Sequence, residues 1–194
     1  MKIQEITHLP NGGPRGIKTQ VLSVRCLDLQ FLELFSCKQL ASFQDDLLLP
    51  NLKHIRLLML NKLTNSGLAQ LIKATSKLES LFCMDLPSIS EVAIPSSSTS
   101  LQSLQIYECK QIESIQIGAN NIRDFTLSDG RNLTNFQLGD PVHGFQHLKS
   151  LKISASPKIS LEFLSTLQID RLTTLHLISN APSAKSYMKV QFQF

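Results

Sequence analysis

The sequence predicts an α/β solenoid, in which stacked coils each add one strand to a parallel sheet and return through a helix or a short strand. The composition points that way, with 33 leucines and 16 isoleucines among 194 residues. The stronger observation is the spacing L-x-x-L-x-L, which occurs seven times with starts 21 to 26 residues apart. The matches are LQFLEL, LKHIRL, LESLFC, LQSLQI, IRDFTL, LKSLKI and LTTLHL, beginning at Leu29, Leu52, Leu78, Leu101, Ile122, Leu148 and Leu172.

Each match predicts a short strand. The apolar fourth and sixth positions alternate with mostly polar neighbours, which is the period of a strand with one buried face. The ninth and twelfth positions continue the pattern, as Cys37 and Leu40 do in the first coil. One strand of this length is not stable alone, but stacked copies pair side by side and bury their leucines in a continuous core.

The full pattern, L-x-x-L-x-L-x-x-C/N-x-x-L, resembles the leucine-rich repeat family over about residues 29–183. Segment 63–78, LTNSGLAQLIKATSKL, is similar to the cysteine-containing subtype, although only Cys37 and Cys109 keep the ninth-position cysteine. The middle repeats, with their I-x-I segments, resemble bacterial surface-type repeats. The resemblance implies a right-handed horseshoe with a parallel sheet on its concave face and a mixture of helices and short strands on the convex side.

The return segments predict that mixture. After Thr64 or Asn65 as a cap, a helix would bury Leu68, Leu71 and Ile72. A second helix capped by Ser160 would bury three more leucines. Between them the apolar period changes to two, which predicts a short parallel sheet on the convex side. Its inward residues would be Val92, Ile94, Ile115, Ile117, Phe136 and Leu138.

The ends of the chain differ from the repeats. Residues 1–28 are predicted to be an N-terminal cap or a degenerate repeat, 29–183 the repeat domain and 184–194 a C-terminal capping strand, in which Val190, Phe192 and Phe194 alternate with polar residues. No classical secretion signal and no apolar stretch of membrane-spanning length is found. We therefore expect a monomer that resides in the cytoplasm or is delivered into a host cytoplasm.

The sequence favours no catalytic, cofactor or metal site. The net charge of +4 comes from scattered residues rather than a basic run, which argues against a nucleic-acid partner. The segment GGPRGIKT at 12–19 lacks the spacing of a phosphate-binding loop, because Ile17 separates Gly16 from Lys18. Asp140, His143 and His147 are better explained as solvated loop residues than as metal ligands. The four cysteines are predicted to be unpaired core residues in a reducing compartment.

The repeat register assigns a candidate binding surface to the concave face. Large apolar side chains gather at outward positions of the first four strands, and exposed clusters of this kind are typical of protein interfaces. An acidic column follows at consecutive eighth positions, with partial compensation expected from Arg56, Lys149 and Lys152. The alternative is that the N-terminal cap or neighbouring loops cover the apolar residues. The predicted contact residues are Phe31, Phe35, Arg56, Leu58, Phe82, Met84, Asp85, Tyr107, Glu108 and Asp129.

These features predict a non-catalytic module that binds a protein partner on its concave sheet. Two alternatives remain open. The resemblance to the cysteine-containing repeat subtype would suit the substrate-recognition part of a ubiquitin ligase. The composition is compatible with a bacterial effector or surface protein that engages host proteins.

Overall fold

All seven matches form strands in a computed structural model of the protein. The structure describes residues 20–22, 25–139, 146–159 and 171–178, and the backbone of 187–190. In chain order the elements are β1 (Val21–Leu22), β2 (Phe31–Phe35), β3 (Ser42–Phe43), β4 (His54–Leu58), α1 (Asn65–Lys73), β5 (Ser80–Met84), β6 (Glu91–Ile94), β7 (Ser103–Tyr107), β8 (Ser114–Ile117), β9 (Asp124–Ser128), β10 (Asn135–Leu138), β11 (Ser150–Ser154), β12 (Thr174–Ile178) and β13 (Tyr187–Val190).

The seven predicted strands lie side by side in one main sheet, and β13 adds an eighth strand at its end. The order is β13-β12-β11-β9-β7-β5-β4-β2. Each predicted strand runs from the third to the seventh position of its match, and neighbouring strands are parallel with equivalent positions paired. β13 pairs with β12 in the antiparallel direction. The register inferred from the leucine spacing is therefore confirmed across all seven coils.

The return segments form a second layer on the opposite side of the core. β10, β8 and β6 make a three-stranded parallel sheet, as the change of apolar period predicted, and β1 pairs with β3 in the same way before the coil that contains α1. α1 is the one helix within the described ranges, so the described chain is mostly strand and less helical than an even helix–strand mixture implies. The right-handed horseshoe curvature stays a prediction.

α1 begins where the sequence indicates. The Thr64 side chain caps it by accepting a hydrogen bond from the Gly67 N–H at 3.1 Å. Thr64 also donates its own N–H and hydroxyl hydrogens to the carbonyl of Ala41 in the preceding coil, both at 3.0 Å. Gly67 permits this approach, because a Cβ there would lie 2.5 Å from the same carbonyl oxygen. The helix buries Leu68, Leu71 and Ile72 against the coil.

The core lies between the two layers and is continuous from coil to coil. Inward residues of the main sheet and of the three-stranded sheet belong to one buried cluster, in which Phe125 is among the largest fully buried side chains. A turn after each of the first six main strands brings the ninth and twelfth positions together against the core. In the first coil the Leu40 N–H donates to the Cys37 carbonyl at 3.0 Å, and the same bond recurs in the next five coils.

Several predictions fall outside the described residues. They concern the cap at 1–19 with its glycine-rich segment, the helix after Ser160, the residues Asp140 and His143, and the alternating Phe192 and Phe194. The domain boundaries at 28 and 183 likewise stay predictions.

Candidate functional site

The predicted contact residues that belong to strands lie on one surface, the outer face of the main sheet. This is the side of the sheet that is turned away from the core. The burial of β5 shows the division, because Leu81 and Cys83 are buried while the residues on either side are half-exposed. Six outer-face side chains form what we call the apolar patch. They are Phe31 and Phe35 on β2, Leu58 on β4, Phe82 and Met84 on β5, and Tyr107 on β7. Phe35 is 60% exposed and the other five are partly buried.

The apolar patch follows one column of the sheet. The strand register pairs Phe35 with Leu58, Leu58 with Met84, and Met84 with Tyr107. At the usual spacing of about 4.8 Å between strands, these four side chains span roughly 14 Å. Met59, which follows β4, is also 39% exposed beside them. The column therefore presents a continuous apolar ridge about as long as two to three turns of a helix.

A chain of side-chain contacts crosses the same four strands. Arg56 forms an ion pair with Glu33 at 2.8 Å, and its guanidinium carbon lies 5.3 Å from the centre of the Phe82 ring. The Phe82 and Tyr107 rings are 5.4 Å apart between centroids and tilted by 31°. These contacts restrict the rotamers of the patch before any partner binds, which lowers the entropic cost of binding. Glu33 was not among the predicted site residues, although its place opposite Arg56 in the register was a usable signal.

The three predicted acidic residues stand directly after strands β5, β7 and β9, in a left-handed backbone conformation. The φ angles are 52° at Asp85, 55° at Glu108 and 65° at Asp129. The backbone N–H of each donates to the last carbonyl of the next main strand. We call these residues the acidic column. The same conformation ends β2, β4 and β11, so it belongs to the coil and not to the acidic residues.

The predicted compensation of the acidic column is wrong. Asp129 contacts Arg131, with Lys110 at 4.0 Å, rather than Lys149 or Lys152. Arg131 follows Asp129 by two positions, and Lys110 reaches the same carboxylate from the preceding coil. Arg56 is already occupied by Glu33. Asp85 and Glu108 have no ion-pair partner in the part of the chain that the structure describes.

Burial keeps the cysteine thiols near the patch protonated at neutral pH. Burial raises the pKa of Cys109 from 9.0 to about 11, and the nearby carboxylates of Asp85 and Glu108 add to the rise. Burial also raises the pKa values of Cys83 and Cys37. All four cysteines are unpaired, as predicted, although Cys26 is only partly buried. Because a thiolate is the reactive form, the three buried cysteines are not poised as nucleophiles.

The outer face changes character beyond β7. The positions equivalent to Met84 and Tyr107 are Ser128 on β9 and Ser154 on β11, whose hydroxyls share a hydrogen bond of 3.1 Å. The fifth positions of β9 and β11 are Thr126 and Lys152. The outer face is thus apolar and aromatic over the first four strands and polar on β9 and β11, while Ile178 holds the same position on β12.

A shallow groove of about 630 Å³ lies on the opposite layer, between α1 and the ends of β6, β8 and β10. Small and polar residues line most of it, and Lys73 is its one charged side chain within the described ranges. The groove brings together no set of polar groups that would orient a ligand, so the outer face of the main sheet is the stronger candidate.

The described ranges contain no group of three or more His, Cys, Asp and Glu side chains that could hold a metal ion. His147 is exposed, and its two proposed companions fall outside these ranges. No helix in the same ranges is both long and apolar enough to cross a membrane.

Comparison with known proteins identifies the repeat. The family model described as At1g61320/AtMIF1, LRR domain, matches residues 17–192, which include every helix and strand named above. No curated protein and no solved structure matches the chain. A leucine-rich repeat solenoid is in general a scaffold for protein interaction and is typically non-catalytic. With the family match and the seven stacked strands in agreement, the chain belongs to the At1g61320/AtMIF1 LRR-domain family.

Proposed function

We propose that the protein is a non-catalytic binding module that holds a protein partner on the outer face of its main sheet, through the apolar patch. One observation carries the proposal, the ridge from Phe35 to Tyr107 on a sheet whose other face already packs against the core. Large apolar side chains exposed in a contiguous group, with an aromatic pair at the centre, are the usual anchors of protein interfaces.

The preformed contacts favour recognition of a partner over non-specific adhesion. Arg56 is anchored by Glu33 and stacked on Phe82, so its charge is already matched when a partner approaches. Aromatic and arginine side chains held in this way are enriched among residues that dominate binding energy. The expected partner surface is a helix or an extended segment, since either can lie along the ridge.

The proposed setting is a monomer in the cytoplasm. Four unpaired cysteines fit a reducing compartment. The two alternative roles use the same face and differ in what else is recruited. Co-purification of a ligase adaptor would favour substrate recognition for ubiquitin ligation, and a positive secretion assay would favour the effector role.

The test is affinity purification with mass spectrometry, comparing the wild type with the double variant Phe82→Ser/Tyr107→Ser. The matched control is Ser128→Ala/Ser154→Ala, which changes outer-face positions at the polar end of the same sheet. We expect the first variant to lose the partners that the wild type and the control both retain. Recovery of the same partners by a folded Phe82→Ser/Tyr107→Ser protein would refute the proposal.

A further inference from the structure

We propose that the partner segment seated on the apolar patch carries Lys or Arg next to its apolar side chains. The inference rests on the proposed function, because it assigns the chemistry of the partner for the same face.

The first argument is the charge that remains on this face after internal pairing. On β2, β4, β5, β7 and β9, from the first residue of each strand to the residue directly after it, six side chains are charged. Glu33 and Arg56 neutralise each other, and Asp129 is held by Arg131 and Lys110. The remaining charges, without an ion pair among the described residues, are on Asp85, Glu108 and Asp124. All three are negative, and with Arg131 and Lys110 both counted this part of the face keeps a net charge of −2, although the whole chain has a net charge of +4.

The second argument is position. Asp85 directly follows Met84, and Glu108 directly follows Tyr107, on two neighbouring strands that are in register. Equivalent atoms of neighbouring strands are about 4.8 Å apart, so two like charges stand side by side at the edge of the apolar ridge. Both carboxylates also act on the thiol of Cys109. Like charges at this spacing repel, and a cation from the partner would relieve that repulsion.

The third argument is the shape of the side chains that would fit. Lys and Arg have apolar stems that can pack along Met84 and Tyr107 while the charged end reaches the carboxylates. Arg can also stack on the Tyr107 ring. A partner with Asp or Glu at this place would add a third negative charge, so the face should reject acidic segments.

The experiment is selection from a displayed library of random peptides of about 12 residues, since a helix of that length is about 18 Å long and spans the ridge. The selected peptides are synthesised, and their affinities are measured for the wild type and four variants. Asp85→Asn/Glu108→Gln removes the two charges, Phe82→Ser/Tyr107→Ser removes the patch, and Asp124→Asn, at the start of the neighbouring strand β9, is the matched control. Phe82→Leu is a milder patch variant, and circular dichroism checks that each variant is folded.

We expect the selected peptides to combine apolar residues with Lys or Arg. They should bind Asp85→Asn/Glu108→Gln about 5-fold more weakly and the Asp124→Asn control within about 2-fold of the wild type. Raising the salt concentration from about 0.05 M to about 0.5 M should weaken wild-type binding and should affect Asp85→Asn/Glu108→Gln less. Sedimentation should show a monomer.

Each contrary result has its own meaning. Peptides that need Phe82 but bind Asp85→Asn/Glu108→Gln as tightly as the wild type would overturn the inference and leave the proposed function standing. Peptides that bind folded Phe82→Ser/Tyr107→Ser and Phe82→Leu unchanged would overturn both. Failure to enrich any peptide would also overturn the inference. Self-association of the wild type that the patch variants abolish would overturn it as well, because the occupant would then be a second copy of this chain.

Discussion

Two adjacent residues of β5 provide the sharpest test of how the outer face is built. Leu81 points into the core and is 1% exposed, whereas Phe82 lies half-exposed on the outer face. Leu81→Ala removes fully buried atoms and leaves a cavity, so we expect the free energy of unfolding to fall by about 3 kcal/mol. The neighbouring substitution should behave differently although it removes a larger side chain.

The cost of Phe82→Ala follows from its two ring contacts. The tilted pair with Tyr107, at 5.4 Å between centroids, contributes about 1 kcal/mol. The Arg56 guanidinium above the ring contributes about 0.5 kcal/mol at an exposed site. Because Arg56 keeps its ion pair with Glu33, the substitution leaves no unpaired charge. The two ring contacts therefore account for about 1.5 kcal/mol, and the buried part of the ring adds about 1 kcal/mol, so we expect a loss somewhat smaller than that of Leu81→Ala, together with the loss of partner binding.

The assay is urea unfolding followed by circular dichroism, since the chain has no tryptophan to report by fluorescence. A double-mutant cycle with Tyr107→Ala isolates the ring pair, and its coupling energy should be about 1 kcal/mol. If Phe82→Ala costs as much as Leu81→Ala at unchanged m-value, the ring belongs to the core and the assignment of faces is wrong. A coupling energy near zero would refute the contact chain across the patch.

Two further predictions concern the stability of the fold. Gly67→Ala should lower the free energy of unfolding by about 2 kcal/mol despite better helix propensity, because its Cβ would lie 2.5 Å from the Ala41 carbonyl oxygen and displace two hydrogen bonds of about 1 kcal/mol each. Urea unfolding beside the exposed control Ser66→Ala tests this, and a Gly67→Ala protein more stable than the wild type would exclude the close approach. Cys109 makes stability sensitive to alkaline pH. Its folded pKa of about 11 exceeds the ordinary 9.0, so its contribution is complete below pH 9, and about 2 kcal/mol of the free energy of unfolding is lost as the pH rises from 9 to 11. Cys109→Ala should lose less over that range, and parallel pH profiles for the two proteins would contradict the assignment.

The strands and their register were predictable because the apolar positions recur in every coil. A strand has a period of two, so a shift of one residue would turn every leucine to the wrong face, and seven consistent matches leave one register. The second layer was predictable for the same reason, since Val92 and Ile94 alternate as strand residues do. α1 was predictable from its cap and its buried face together.

The left-handed residue after each of the first six main strands was not predictable. Residues at that position include Ser36, Met59 and Glu108, none of which favours φ near +55°. The conformation is imposed by the stack, which needs the chain to turn inward so that the ninth residue is buried. The left-handed conformation costs of order 1 kcal/mol at each residue, and the sequence around these residues does not indicate that conformation.

The ninth position shows a signal that was present but was not interpreted. The Cys109 thiol donates to the Tyr107 carbonyl at 3.3 Å, and the Ser156 hydroxyl donates to the Ser154 carbonyl at 3.1 Å. A cysteine and a serine thus perform the same task, satisfying the last carbonyl of the strand. Their exchange at one repeat position indicated a small donor rather than a departure from the pattern.

A comparison between strands of the same sheet shows whether folding requires the apolar patch. β9 and β11 have the same length, pairing and buried positions as β5 and β7, yet they carry Ser128 and Ser154 where β5 and β7 carry Met84 and Tyr107. The coil therefore stacks equally well with serine at the seventh position. Since the fold does not require large apolar side chains there, and leaving them in water is unfavourable, their concentration on the first four strands is better explained by binding than by folding.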